Sequence, residues 1–366
     1  MQWTTQDFEW MTLALRQAER GLYTTSPNPR VGCVIVKDGK LIGEGAHLKA
    51  GEPHAEVHAL RQAGINARGA TAYVTLEPCS HYGRTPPCAH ALVEAGVSRV
   101  VVAMQDPNPL VAGKGIDYLQ SHGIDVSAGL LEAQAQALNP GFILRMAKQR
   151  PYVRLKVAAS LDGRTALSNG VSQWITSAEA RKDVHHWRAQ SCAIITGIGS
   201  ILKDNSALTV RDVATTRQPL RVIVDSHLRI PLDAKVLENG QVLIVHAQDQ
   251  EAAPAEKLAQ LHEMGVKTLA LPDQVGKSDL AALLRTLAQQ HINEIMVEAG
   301  ATLSGAFLQA GLVDELLLYY APKLMGDTGA GMFTLPAFTA MSQTRDLDIR
   351  DIRHFGQDIR IQAKLR

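Results

Sequence analysis

The chain is poor in the features that tie a protein to a membrane, a nucleic acid or an oxidising compartment. Its 366 residues include four cysteines, Cys33, Cys79, Cys88 and Cys192. That is too few for a disulfide scaffold and suits thiols that are free or metal-bound in a cytoplasmic protein. Lys and Arg number 37 against 36 Asp and Glu, a formal charge of +1, so no net field draws the chain to nucleic acid or to an anionic membrane. Aromatics make up 5% of the residues, which leaves few platforms on which exposed bases could stack. No stretch approaches the roughly 18 apolar residues of a membrane span. The N-terminal "MQWTTQDFEWMTLALRQAERG" has no basic segment followed by an apolar one, so it predicts an amphipathic helix capped near Asp7 rather than a signal peptide. The expected partners are small molecules, with no nucleic acid and no membrane. The oligomeric state is left open, a homo-oligomer included.

What the chain has in quantity is core: 46% of its residues are hydrophobic, ordinary for a folded protein of two or three domains. In "RVGCVIVKDGKLIGEGAH", two β-branched runs flank Asp38-Gly39, which predicts a tight hairpin. Helical and strand patterns then alternate through "EPHAEVHALRQAG", "ATAYVTLEP", "PPCAHALVEAG", "SRVVVAMQDPNP", "GKGIDYLQSHG" and "IDVSAG". Such alternation predicts a mostly parallel sheet with helices on both faces. The pattern lapses in "EAQAQALNPGFILRMAKQRP", a helical connector. A second set of strands begins at "YVRLKVAASLDGR" and closes on the hairpin "DIRHFGQDIRIQAKLR". The expected boundary lies near 147, giving domains 1–147 and 148–366.

Chemistry concentrates in "HAEVHAL" and "EPCSHYGRTPPC". A catalytic zinc takes three nitrogen or sulfur ligands and keeps one position for water. His54, Cys79 and Cys88 supply that set, and zinc brings the pKa of a bound water down to about 7. Glu56, two residues past His54, is placed to carry the proton from the attacking water to the departing ammonia. The order matches the H-x-E…P-C…C layout of zinc-dependent base deaminases. A metallopeptidase would need Glu directly after the first His, where this chain has Ala55. The two cysteines are separated by eight residues, "SHYGRTPP", instead of the usual two. That insert brings His81 and Arg84 to the mouth of the site, Arg84 being suited to a phosphate. Cys33, inside "VGCVIV", reads as core.

The second half carries weaker local signals. "GIGSIL" starts like a dinucleotide fingerprint but lacks the third glycine. "EIMVEAGATLSGAFL" is more informative: a strand, an acidic residue, Gly300, then a helix opening whose free N–H groups form a phosphate cradle.

Taken together, "TSPNPRVGCVIV", "GEGAHLKAGEPHAE", "TLEPCSHYGRTPPC" and "QDPNPLVAGKG" resemble the deaminase half of bifunctional riboflavin-biosynthesis proteins. "LKVAASLDGRTA", "SQWITS" and "VEAGATLSGAFLQAGLVDEL" resemble their reductase half. The resemblance implies an N-terminal cytidine-deaminase-like α/β/α domain and a C-terminal dihydrofolate-reductase-like α/β domain, with Zn2+ and NADPH as cofactors. It implies deamination of 2,5-diamino-6-(5-phosphoribosylamino)pyrimidin-4(3H)-one. Reduction of the ribosyl side chain of 5-amino-6-(5-phosphoribosylamino)uracil to ribityl follows. On the family pattern Asn28, His47, Arg84, Asp106 and Asn108 surround the first substrate. Ser172, Arg188, Leu208, Arg211 and Glu298 face the sugar phosphate of the second. Ala158, Trp174, Ser200, Asp204, Ser226 and the loop Gly300, Ala301, Thr302, Leu303, Ser304, Gly305 and Ala306 face NADPH. The proton donor for the reduction is not legible: water, Lys156 and an acidic side chain all qualify. The alternative is a zinc base deaminase whose C-terminal half only binds or dimerises.

Overall fold

Thr4 opens the first helix, α1 (Thr5–Glu19), with a reciprocal capping box. Its hydroxyl accepts from the Asp7 N–H, and the Asp7 carboxylate accepts from the Thr4 N–H and hydroxyl. The expected cap at Asp7 is therefore the third helical residue, and the cap itself lies three residues earlier. In this computed structural model, residues 3–80, 87–109, 111–238, 240–248 and 254–366 are described. The chain divides into two compact units, Met1–Arg150 and Pro151–Arg366.

In the first unit, β1 (Gly32–Lys37) and β2 (Lys40–Ala46) form the expected hairpin, with Asp38 and Gly39 both at positive φ. There follow α2 (Ala55–Ala63), β3 (Thr71–Val74), α3 (Cys88–Glu94), β4 (Arg99–Val102), α4 (Lys114–Ser121) and β5 (Asp125–Ala128). The connector folds as α5 (Glu132–Leu138) and α6 (Pro140–Lys148). Among the described residues these strands form one five-stranded sheet ordered β2-β1-β3-β4-β5. It is mixed rather than mostly parallel: β1 runs antiparallel to both β2 and β3, while β3, β4 and β5 are parallel. The two-residue turn forces β1 and β2 apart in direction, and β3 then joins the free edge of β1 running the same way as β2.

Glycines set how closely helices approach this sheet. A Cβ on Gly32 would lie 1.9 Å from the Ala14 carbonyl of α1, and one on Gly45 would lie 2.2 Å from the Ala55 carbonyl of α2. Gly45 pairs with Cys33, the neighbour of Gly32, so the two glycines point to opposite faces and α1 and α2 cover opposite sides of the sheet.

The second unit begins with β6 (Tyr152–Ser160), β7 (Arg164–Ala166), α7 (Ala178–Gln190), β8 (Ala193–Gly197), α8 (Ile198–Asp204) and β9 (Leu220–Val224). It continues through β10 (Val242–His246), α9 (Ala255–Glu263), β11 (Lys267–Ala270), α10 (Leu280–Gln289), β12 (Glu294–Glu298) and α11 (Ala301–Gln309). The last strands are β13 (Glu315–Ala321), β14 (Ala330–Gly331), β15 (Leu347–Phe355) and β16 (Asp358–Leu365). Nine of them, among the described residues, make one sheet ordered β11-β10-β9-β8-β12-β6-β13-β16-β15. Pairing is parallel from β11 to β13 and antiparallel at β16 and β15. Successive residues alternate between two buried clusters: Ile194, Ile223 and Met296 belong to one, and Ile195, Val222 and Val297 to the other. Both faces are thus covered, as parallel strands require. Among the described residues no helix is long and apolar enough to cross a membrane.

Candidate metal centre and cofactor cavity

His54 is the N-cap of α2, but its side chain makes no capping hydrogen bond. The ring turns instead toward two sulfurs, with Nδ1 3.7 Å from Cys79 Sγ and 3.3 Å from Cys88 Sγ. Cys79 follows β3, and Cys88 is the first residue of α3, its N–H donating to Cys79 Sγ at 3.3 Å. The three ligand atoms lie within 4.8 Å of one another. Zinc bound at about 2.3 Å to sulfur and about 2.0 Å to nitrogen in a tetrahedron needs ligand separations of roughly 3.5–3.8 Å. The residues present fit that ion. Hydrogen bonds from the Cys88 thiol, from His54 and from the Cys88 N–H hold Cys79 well below the usual thiol range, which favours the thiolate a metal needs.

Glu56 lies in the first turn of α2, 3% exposed, and its Oε2 is buried without a hydrogen-bond partner among the described residues. An unmet acceptor next to three metal ligands calls for a donor, and a water at the metal would supply one. Burial, and after it the neighbouring Cys79 sulfur, push the Glu56 carboxyl up to about 7.

His47 is buried, stands edge-on to His54 with ring centroids 5.1 Å apart, and pairs through Nε2 with the Asn28 amide at 3.1 Å. Its Nδ1 is 3.2 Å from the Pro53 carbonyl, and burial lowers its pKa. Asp106 and Asn108 sit in the loop after β4, where the Asn108 N–H donates to Asp106 Oδ1 at 2.8 Å. His81 and Arg84 lie outside the described residues.

A second concavity, of about 770 Å3, opens in the other unit, within the range of small-molecule sites. Ala158, Trp174, Ser200, Asp204, Ser226 and Gly300, Ala301, Thr302, Leu303 and Ala306 line it, as do Ser172, Arg188, Leu208 and Glu298. Gly300 caps α11 without a side chain, and a Cβ there would meet nothing within 4 Å. Gly300, Ala301, Thr302 and Leu303 line the cavity, so the start of α11 borders it, and the first N–H groups of a helix are donors that suit a pyrophosphate. Trp174 is two-thirds exposed, with the Arg181 guanidinium 4.4 Å from its ring centroid.

Three residues expected here are placed elsewhere. Ser304 is fully buried and donates to the Ala299 carbonyl. Gly305 faces inward, where a Cβ would come within 2.0 Å of the Thr334 carbonyl. Both follow from the 3.6-residue period of α11, which turns every third or fourth side chain away from the opening. Arg211 is exposed and outside the lining, its N–H donating to His185 Nδ1 at 3.1 Å. Arg188 does line the cavity, but its guanidinium forks onto Glu298 at 2.6 and 2.9 Å. Burial would raise Glu298; Arg188, then Lys156, outweigh it and hold the carboxyl below the usual range. Lys156 lines the cavity 4.0 Å from Glu298, and burial lowers its pKa.

Sequence reasoning missed two groups. Thr196, Lys203, His227, Arg229, Lys277 and Ser278 also line the cavity, drawn from a strand, a helix and separate loops that no local motif joins. Glu77, one residue before Pro78-Cys79, is buried with every carboxylate oxygen engaged. An acidic residue shortly after an apolar strand was the signal, because a carboxylate is not buried without partners.

Comparison with known proteins matches both halves. Residues 4–104 match the family model described as cytidine and deoxycytidylate deaminase zinc-binding region, and residues 151–361 match the RibD C-terminal domain. The riboflavin biosynthesis protein RibD of Escherichia coli (strain K12) is 52% identical over 97% of this chain and 98% of its own. That of Aquifex aeolicus is 42% identical over 98% of each. Among solved structures, Acinetobacter baumannii RibD (form 1) superposes with a TM-score of 0.91 at 52% identity, covering 99% of both chains. A Thermotoga maritima diaminohydroxyphosphoribosylaminopyrimidine deaminase/5-amino-6-(5-phosphoribosylamino)uracil reductase superposes at 0.87 with 34% identity, also over 99% of both.

Proposed function

The chain belongs to the riboflavin biosynthesis protein RibD family, and from that membership we propose how its residues divide two reactions. It is a bifunctional enzyme of riboflavin biosynthesis, a zinc-dependent deaminase and an NADPH-dependent reductase. We assign to residues 1–147 the deamination of 2,5-diamino-6-(5-phosphoribosylamino)pyrimidin-4(3H)-one. To residues 148–366 we assign reduction of the ribosyl group of 5-amino-6-(5-phosphoribosylamino)uracil to ribityl. With none of its four cysteines in a disulfide, the enzyme belongs in the cytoplasm, acting on small phosphorylated pyrimidines rather than on nucleic acid.

His54, Cys79 and Cys88 would hold the zinc. When bound, zinc supplies a water acidic enough to attack at neutral pH. Glu56 takes a proton at Oε2, an oxygen that no other described group engages, and returns it to the departing amine. His47, Asn28, Asp106 and Asn108 offer the imidazole, amide and carboxylate groups that pair with pyrimidine edges. Arg84 takes the phosphate of this substrate.

In the second unit, NADPH supplies the hydride when bound. The N–H groups opening α11, with Ser200, Asp204, Ser226 and Trp174, position it. Arg188, Leu208 and Ser172 position the sugar phosphate. The ribosyl carbonyl oxygen must gain a proton as its carbon gains hydride. Lys156, an ammonium of lowered pKa on the cavity wall, is the donor we assign.

The observation that carries the deaminase assignment is the unpartnered Glu56 Oε2 beside three convergent metal ligands. Incubation with the diaminopyrimidinone phosphate, followed by mass spectrometry, tests both assignments. Without NADPH the product should have exchanged an amine for an oxygen, and with NADPH it should also gain two hydrogens. A product reduced without prior deamination would overturn the division.

A further inference from the structure

Glu77 stands between the metal ligands and the loop that carries Asp106 and Asn108. The residue is 3% exposed, and its carboxylate accepts four backbone N–H groups. Oε2 takes those of Asp106 at 3.1 Å and Gly113 at 3.0 Å; Oε1 takes those of Gly115 at 2.8 Å and Ile116 at 3.3 Å. An ionised carboxylate has room for about four such bonds, and this one has them. The donors come from two places. Asp106 lies in the loop after β4; Gly113 caps α4, and Gly115 and Ile116 lie in its first turn, where the helix dipole favours a negative charge. One side chain therefore closes the loop into a ring.

The same side chain is fixed at its own end. The Glu77 N–H donates to the Met104 carbonyl at 3.0 Å. Next in the chain, the Pro78 carbonyl rests on Gly115, where a Cβ would lie 2.0 Å from it. Cys79 follows. Metal ligand and loop are thus fastened to a common point two residues from the sulfur.

We infer that Glu77 is a positioning residue for deamination, holding Asp106 and residues 113–116 in the geometry that receives the pyrimidine at the metal. This rests on the assignment of Asp106 and Asn108 to that substrate. Glu77 touches neither metal nor substrate and transfers no proton. Replacing it with Gln keeps the shape but turns an NH2 group toward N–H donors, leaving two of the four unmatched. The zinc ligands and Glu56 stay in place, while the loop no longer closes.

In the zinc-loaded full-length enzyme, Glu77→Gln should retain one zinc per chain and full reductase activity. The deaminase KM should rise at least tenfold with kcat within threefold of wild type, as for loss of an interaction made equally in ground and transition states. Amide exchange at Gly113, Gly115 and Ile116 should quicken. An unchanged KM, or loss of zinc, would overturn the inference. Asp106→Asn separates it from the assignment beneath it. If Asp106→Asn leaves KM unchanged, the loop does not receive the substrate and the assignment falls. If Asp106→Asn raises KM and Glu77→Gln does not, only the role of Glu77 falls. The double variant should lose no more than Asp106→Asn alone, because both act through one loop. If the Gln variant does not accumulate folded, Glu77→Asp, whose carboxylate is set back by one methylene, replaces it with the same opposed outcomes.

Discussion

Glu56 occupies a place where a carboxylate is hard to keep charged, and its function follows from that. Glu56→Gln keeps size and polarity but cannot accept a proton. Deamination should fall by about 10²–10⁴ while zinc, measured by metal analysis, stays bound. Cys79→Ser should lose both zinc and deamination and leave NADPH oxidation intact. Asp7 gives a second kind of test. Burial alone would raise its pKa; hydrogen bonds from Thr4, Arg99 and Tyr73 outweigh that and hold it at about 2. A depressed carboxyl stabilises the fold above its unfolded pKa of about 4 and loses that contribution as pH falls toward 2. Asp7→Asn should therefore cost about 2 kcal/mol at pH 7, and urea midpoints of the two proteins should approach each other between about pH 4 and 2. The metal centre was legible in the sequence because only a few residue types bind zinc and their order is specific. The anion sites were less so. An arginine in sequence does not reveal that Arg188 is already held by Glu298, or that Arg211 sits outside the cavity lining.

At the scale of elements, the placement of His54 and Glu56 depends on how closely α2 lies against β2. Gly45 sets that distance. In Gly45→Ala the added methyl would meet the Ala55 carbonyl, the Ala59 nitrogen and the His58 Cβ, so α2 must lift away. Overpacking of this kind costs about 1–3 kcal/mol. It should also weaken zinc binding, because His54 leads the displaced helix, and competition with a chromogenic chelator measures that. Restored affinity in the presence of the methyl would show that the helix tolerates the shift. The strands and helices themselves were readable, since alternation and helical period are local properties. Direction was not. Nothing in the period of β1 tells that it runs against β3, and Gly43 and Gly45 look like ordinary strand residues until a helix is laid over them.

At the scale of the whole chain, the two units each have a complete sheet and their own core. Fragments 1–150 and 151–366 should each fold, the first holding zinc and deaminating, the second oxidising NADPH with the deaminated substrate. A first fragment that binds zinc but does not turn over would show that its site needs the other unit. The sheets also differ in when they can be finished. In the first, each strand pairs with others lying within a few dozen residues, and all five have been made by Ala128. In the second, β6 is the first strand made, yet it lies between β12 and β13, which arrive more than a hundred residues later. Its neighbours close a long loop before any pairing is gained, which makes such a sheet slow to form. On the ribosome, the N-terminal unit has emerged and can close while the centre of the second sheet still waits for its partners. Maturation then follows the order of the two reactions: a nascent chain stalled near residue 200 should already retain zinc, whereas none stalled before β13 should retain the nicotinamide.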